Sequence, residues 1–161
     1  QKYEGELPCG IKFVFFDGEE CIEEYGPADG LHGSRRLAKE WSENGLLKKC
    51  RAMILLDMVG DKDLTITIPK GCTKSLIDRT LRLALENGLG SRFRVFESDM
   101  IDDHVPFLER GVPAIDLIDF NYGPGNAFWH TTQDSLDKIS AQSIKTVADF
   151  ALGLYWNIAE D

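Results

Sequence analysis

The chain has 161 residues, 43% of them hydrophobic, and carries a net charge of −9 with a pI near 4.8. That length suits one domain with a real core, and the charge argues against nucleic acid or an anionic membrane as the main partner. No apolar run reaches the length of a membrane span, and the opening residues Gln1-Lys2-Tyr3-Glu4 are not a signal peptide.

The first predicted element is a buried strand over Ile11 to Phe16, ended by Asp17-Gly18. Glu19 and Glu20 then sit at a strand's carboxyl end, the edge of an open α/β sheet where ligand sites form. Adjacent carboxylates repel unless a cation or a shared proton offsets them. Metal hydrolases divide the labour, with one carboxylate on the metal and the other handling protons. A solvated acidic turn is the plain alternative. A polar loop, Cys21 to Asp29, follows. Gly30 to Glu43 carries Leu31, Leu37, Ala38 and Trp41 at helical spacing, and Asn44-Gly45 closes that helix.

A second buried strand is predicted within Arg51 to Val59, where Met53-Ile54-Leu55-Leu56 ends at Asp57. Leu64 to Ile68 alternates Leu-Thr-Ile-Thr-Ile, the pattern of a strand with one wet face. Thr73 to Asn87 is a helix stopped by Gly88, and Phe93 to Phe96 a short strand. Asp103 to Arg110 is a helix that tolerates Pro106 in its first turn. Ala114 to Ile118 is a strand with an acid near its end, Asp116 or Asp119. The last helix runs from about Ser140, its N-cap, to Ile158. Its apolar stripe is Ile144, Val147, Ala148, Ala151, Leu152 and Tyr155. This alternation predicts a single α/β domain with a largely parallel sheet.

The four cysteines, Cys9, Cys21, Cys50 and Cys72, form no C-x-x-C pair, which argues against a zinc ribbon or a thioredoxin-type site. They are too sparse for a disulfide scaffold, although one or two bridges fit an oxidising compartment. Cys21, beside Glu20, reads as a small buried thiol rather than a nucleophile.

Chemistry-bearing residues collect at strand ends and loops. Glu19, Glu20 and Asp57 follow strands, and Asp102-Asp103-His104 follows a polar segment. Trp129-His130-Thr131 follows the Gly-rich stretch Tyr122 to Gly125. Of the three histidines, His32 falls inside a helix and is structural or exposed. A loop histidine next to a tryptophan can be a packing residue. Strand-end carboxylates together with a loop histidine are nevertheless what an oxygen/nitrogen metal site assembled by folding needs.

Five ordered blocks carry a resemblance. They are Phe-Phe-Asp-Gly-Glu-Glu at 15–20, Gly-Leu-His-Gly-Ser-Arg at 30–35 and Leu-Leu-Asp-Met-Val-Gly at 55–60. Asp-Asp-His-Val-Pro-Phe-Leu-Glu-Arg-Gly-Val-Pro at 102–113 and Trp-His-Thr at 129–131 complete them. With these blocks the chain resembles the zinc-dependent aminopeptidase-like M28 family and, within it, the glutaminyl-peptide cyclotransferases. In the family's peptidases the Gly-Leu-x-Gly-Ser block follows Glu-Glu almost at once. The intervening Cys21 to Asp29, with Asp-Asp-His-x-Pro-Phe and Trp-His-Thr, looks like the cyclase branch.

The resemblance implies a three-layer α/β/α fold with a mostly parallel mixed sheet, like that of zinc exopeptidases. It matches Glu20 and His130 to metal ligands and Glu19 to the general acid/base. Asp57 matches a ligand of the second zinc in the two-metal peptidases. In the one-zinc cyclases that acid instead joins a hydrogen-bond network with the residue matching Asp102. Trp129 matches an aromatic wall of the substrate pocket, and Tyr25 falls where the cyclases also carry an aromatic residue. Gly123-Pro124-Gly125 departs from the animal cyclases, which have a more hydrophobic, Phe-containing stretch there.

The implied activity is conversion of N-terminal glutamine to pyroglutamate with release of ammonia, on peptide or protein N-termini, with one zinc. The alternatives are a two-zinc aminopeptidase and a non-catalytic binding module of the same fold. A secreted or periplasmic location is implied as well. The family's first metal ligand, an Asp, lies upstream of the Glu-Glu block. The 161 residues are therefore expected to be the C-terminal portion of a larger catalytic domain, inactive alone. An unpaired strand edge should then favour self-association or pairing with the missing N-terminal segment.

Overall fold

Four of the predicted apolar runs form strands: β1 (Met53–Asp57), β2 (Ile66–Pro69), β3 (Phe93–Phe96) and β4 (Ala114–Ile118). The structure, a computed structural model, describes residues 7–160. The strand order is β1-β4-β2-β3. β1 runs parallel to β4, with Asp57 opposite Ile118, and β2 runs parallel to β3. The two parallel pairs join through an antiparallel contact of Thr67 with Ile118. Mixed pairing follows from the connections. A parallel neighbour needs a crossover, here β2 through α2 (Lys74–Glu86) to β3, while β4 enters between β1 and β2 from the opposite end of the latter.

Helices cover both faces. Alternation along β4 sends Ile115 and Leu117 to one side, where they pack with Ile66, Ile68, α2 and α4 (Ala141–Ala159). Ring contact between Phe93 and Phe150, 4.4 Å between centroids, closes that core. Each fully buried Ile or Leu of this layer stabilises the fold by about 2 kcal/mol. The second layer packs α1 (His32–Glu43) against α3 (Val105–Leu108) through Ala38, Phe107 and Trp41, with Met53 of β1 beneath them. The architecture is the expected three-layer α/β/α.

Four sequence expectations fail. Ile11 to Phe16 forms no strand, and Phe13 and Phe15 are 84% and 95% exposed. An apolar run becomes a strand only when a neighbour completes its ladder, and among the described residues none does. Only Phe16 is drawn in, against Phe107 at 6.1 Å. β2 has no wet face, because α2, α4 and the crossing chain bury all four of its residues. On α4 the buried stripe is Ser143, Val147, Phe150 and Leu154, so Ile144 and Leu152 turn to solvent. Cys21 is half-buried rather than buried, and all four thiols are free. Ser140 does cap α4, its hydroxyl accepting from the N–H groups of Gln142 and Ser143. His32 is exposed, 3.9 Å from Asp29. No helix of the described residues is long and apolar enough to cross a membrane.

Candidate active site

Two of the sequence blocks meet through backbone. The N–H groups of Leu31, His32 and Gly33 donate to the carbonyls of Glu19, Gly18 and Asp17 at 2.8, 2.9 and 3.0 Å. These are donors that a helix start leaves without intrahelical partners, so the turn after the first apolar run caps α1. This docking explains why the helix begins at His32 and not at Gly30. It also explains Gly33: a Cβ there would lie 2.7 Å from the Asp17 carbonyl oxygen. The capping turn fixes Glu19 and Glu20 at the mouth of a cleft of about 550 Å³ on the carboxyl edge of β1 and β4.

Asp57 ends β1, and its Oδ1 accepts from the Met58 N–H at 2.9 Å. Asp102 lies in the turn before α3, its Oδ1 accepting from the Asp103 N–H at 2.6 Å. Trp129 and His130 sit on the long loop after β4. Two buried carboxylates hold that loop. Asp119 accepts from the N–H and hydroxyl of Thr65. Asp61 accepts from the Gly123 N–H at 3.0 Å. A Cβ at Gly123 would stand 2.3 Å from the Phe128 ring, which gives a reason for glycine in the Gly-Pro-Gly stretch. His130 has φ 107, a left-handed strain typical of functional positions. Trp129 stacks on it at 4.1 Å and meets Phe120 edge-on at 5.1 Å.

All seven residues singled out by sequence, Glu19, Glu20, Tyr25, Asp57, Asp102, Trp129 and His130, line this one cleft. Glu20 Oε1 lies 3.0 Å from His130 Nε2, between residues 110 positions apart, and both side chains are at least half exposed. The Tyr25 hydroxyl donates to Glu19 Oε1 at 2.9 Å and stands 3.4 Å from Glu20 Oε2.

Carboxylate crowding and burial set the electrostatics. Burial raises the Glu19 carboxyl, the Tyr25 hydrogen bond draws it back, and Glu20 and Asp103 raise it again. Burial likewise raises Asp57, against the Met58 N–H. Asp102 is pushed up to about 7 by burial and then by the charge of Asp57. Burial and the Glu19 hydrogen bond keep the Tyr25 phenol protonated. Each raised carboxyl favours bound protons or a cation.

Sequence reasoning missed Asp61 as the anchor of the His130 loop. Of the two acids offered for the end of β4, Asp119 follows the strand directly, whereas Asp116 is fully buried mid-strand. The signal for Asp116 was present, since it is the one charge in the run Ala-Ile-Asp-Leu-Ile.

The donor set suits zinc in part. Zinc takes carboxylate oxygen and imidazole nitrogen at 2.0–2.2 Å, so two tetrahedral ligands stand about 3.3 Å apart. Glu20 and His130 meet that spacing nearly. Among the described residues no group of three metal-binding side chains converges.

Residues 2–155 match peptidase family M28. The glutaminyl-peptide cyclotransferase of Drosophila melanogaster is 33% identical over 86% of this chain and 44% of its own length. The crystal structure of an Acidobacteriales bacterium glutaminyl cyclase aligns with a TM-score of 0.84 and 41% identity, covering 91% of this chain and 52% of that one. A Zn-dependent exopeptidase from Parabacteroides distasonis aligns with a TM-score of 0.71 and 25% identity, covering 89% of this chain and 53% of that one. The chain thus spans about half the length of the relatives it matches.

Proposed function

The chain belongs to peptidase family M28, and on that premise we propose that it carries most of the active site of a zinc-dependent glutaminyl cyclase. The observation that carries this reading is the approach of Glu20 to His130 beside a half-buried Glu19 in one cleft. Glu20 and His130 would hold the metal, which when bound supplies Lewis-acid polarisation of the γ-carbonyl of an N-terminal glutamine.

The residues of the chain do the rest. Glu19 takes a proton from the substrate's α-amine as its nitrogen bonds to the γ-carbon and closes the five-membered lactam. The same carboxyl returns the proton to the γ-amide nitrogen, whose bond to carbon breaks to release ammonia. A raised carboxyl suits both halves of that transfer, because it lies nearer the working pH. Asp57 and Asp102 orient the substrate's cationic end. Trp129 walls the pocket and excludes water. An intramolecular nucleophile leaves little entropy to lose.

In the same reading the chain is the C-terminal part of a larger catalytic domain. It spans less than half of the Drosophila relative, and among the described residues no third metal-binding side chain joins Glu20 and His130. An upstream segment would add a third ligand and cover the open edge of β1. The proposed substrates are peptide or protein N-termini, and the proposed location is secreted or periplasmic, carried by the resemblance alone.

One observation keeps a second reading: Asp57 lines the same cleft, where it would serve a second metal in an aminopeptidase. Assay of the full-length zinc-loaded protein on Gln-2-naphthylamide and Leu-p-nitroanilide, with a metal count, separates the two. Turnover of the first with one zinc supports the cyclase. Turnover of the second with two zincs replaces it. Inability of the full-length protein to bind any divalent metal points to a binding module.

A further inference from the structure

The loop Cys21 to Asp29 is more tightly built than a surface insertion requires. Its Asp29 carboxylate accepts from the backbone N–H groups of Ile22 and Glu23 at 3.0 and 2.9 Å. Gly26 and Asp29 exchange backbone hydrogen bonds at 3.0 and 3.3 Å. Arg35 of α1 donates to the Gly26 carbonyl at 2.5 Å. Between these staples, the Tyr25 ring turns back over the cleft and lies against Gly30. A Cβ at Gly30 would stand 2.5 Å from the Tyr25 ring, and φ there is +74. Only glycine meets both conditions.

The short contact this construction produces is the Tyr25 hydroxyl on Glu19 Oε1 at 2.9 Å, against a longer 3.4 Å approach to Glu20 Oε2. A pocket wall needs only the ring. A hydroxyl aimed at the carboxylate that transfers the proton does something a wall does not. It pins one oxygen of Glu19 and leaves Oε2, for which no hydrogen bond is seen among the described residues, to face the substrate.

Building on the cyclase reading, we infer that Tyr25 is a positioning residue: its phenol holds Glu19 Oε1 so that the other oxygen carries the proton between amine and leaving ammonia. A phenol is suited to this task. It donates one hydrogen bond to a carboxylate and does not itself ionise in the working range. Misplacing a proton-transfer group lowers turnover more than binding.

The test uses the full-length zinc-loaded protein with Tyr25→Phe, which keeps the wall and removes the hydroxyl. On Gln-2-naphthylamide, kcat should fall roughly tenfold or more while KM stays within about twofold. Zinc affinity by calorimetry should change little, since Glu20 and His130 keep their side chains and Glu20 loses only the long 3.4 Å approach of the phenol to its Oε2. Gly30→Ala, which displaces the ring, should lower kcat and also raise KM. An unchanged kcat in Tyr25→Phe overturns the inference, and a raised KM alone leaves Tyr25 as a wall. A readout independent of turnover is the phenol proton itself. A downfield hydroxyl resonance should be present in the unsubstituted protein, absent in Tyr25→Phe and shifted in Glu19→Gln. Its absence from the unsubstituted protein also overturns the inference. Failure of that protein to turn over Gln-2-naphthylamide would sink the cyclase reading instead, while the resonance still decides whether the contact exists.

Discussion

Asp116 Oδ2 and His104 Nδ1 face each other in the interior at 3.7 Å, and neither atom has a hydrogen-bond partner among the described residues. Distance alone suggests an ion pair, but burial rules it out. It holds His104 down to about 4, so the imidazole is neutral at pH 7, and it pushes Asp116 well above the usual carboxylate range. After burial, the charges of Asp102 and Asp57 raise Asp116 further. Asp57, Asp102 and Asp116 thus form a carboxyl cluster running from the cleft into the core, with too little positive charge of its own.

That cluster predicts an unusual pH dependence for the metal-free protein. Asp102 titrates near 7 when folded and 3.8 when unfolded. Between those values the folded state binds more protons, so stability falls as pH rises. The ceiling is about 4 kcal/mol, at about 1.4 kcal/mol per unit, shared with Asp57 and Asp116. His104 has the opposite sign. Its unfolded form takes a proton below 6.5, whereas its folded form refuses one until about 4, so it adds stability as pH rises over that span. Asp102→Asn should reduce the falling contribution to what Asp57 and Asp116 still add, and leave the rising one. Urea midpoints measured in chelator from pH 4 to pH 8 test this. Parallel curves for the two proteins would show that Asp102 is not the titrating group.

The adjacent glutamates should separate in the full-length protein. Glu19→Gln should keep its zinc and lose turnover by roughly 10²-fold or more, because only proton transfer is removed. Glu20→Gln should lose metal first, because an anionic ligand is replaced. Metal analysis beside steady-state kinetics distinguishes them. A Glu19→Gln protein with full activity would end the acid/base assignment.

Much of the site was legible because its chemistry sits at element ends. Asp57 closes an apolar run, and Trp129-His130 follows a glycine-rich loop. Such positions survive errors of a residue or two in the element boundaries. What could not be read depends on partners remote in sequence. Ile11 to Phe16 has the composition of a buried strand, yet composition does not supply the neighbouring ladder. Leu64 to Ile68 alternates, yet Thr67 is buried because its hydroxyl donates to the Ile118 carbonyl at 3.0 Å. The role of Tyr25 needed the folded loop. Nothing in the residues 21–29 says that the chain turns back over Glu19.

Gly33 offers a stability test of the docked turn. A Cβ there meets the Asp17 backbone at 2.7 to 2.9 Å, and backbone cannot swing aside. Gly33→Ala should cost about 1–3 kcal/mol and, by moving Glu19 and Glu20, most of the activity. Gly45→Ala is the control. Its φ is +70 but nothing lies within 4 Å, so strain alone costs about 1 kcal/mol. Thermal melts of the two variants should rank in that order. Equal losses would mean that the turn adapts to the added methyl.

The exposed apolar face predicts association of the 161-residue chain. Phe13, Phe15 and Ile22 are 84%, 95% and 91% exposed, and the outer edge of β1 has no ladder partner among the described residues. Such edges pair with other chains. Sedimentation velocity should show concentration-dependent oligomers. The double variant Phe13→Asp, Phe15→Asp should shift them toward monomer without unfolding, since Phe16 supplies the contact with Phe107. A clean monomer across the concentration range would refute this expectation.

Zinc binding by the same chain is the most direct probe of how the site is completed. Glu20 and His130 bring one anion and one imidazole, whereas catalytic zinc takes three protein ligands and a water. With one carboxylate fewer, the dication is less well compensated, and solvent must fill the remaining positions. The neighbouring acids do not make up the difference unaided. Asp57 is tied to the Met58 N–H, and burial raises its carboxyl, so both its hydrogen bond and its buried setting oppose turning out to a metal. Isothermal titration should therefore show weak or no zinc binding by the 161 residues alone. Adding the proposed upstream segment as a separate polypeptide should restore both affinity and solubility. Tight stoichiometric binding by the chain alone, abolished by His130→Ala, would instead mean that Asp57 or another cleft carboxylate turns in to complete the site, and the proposed need for an outside ligand would fall.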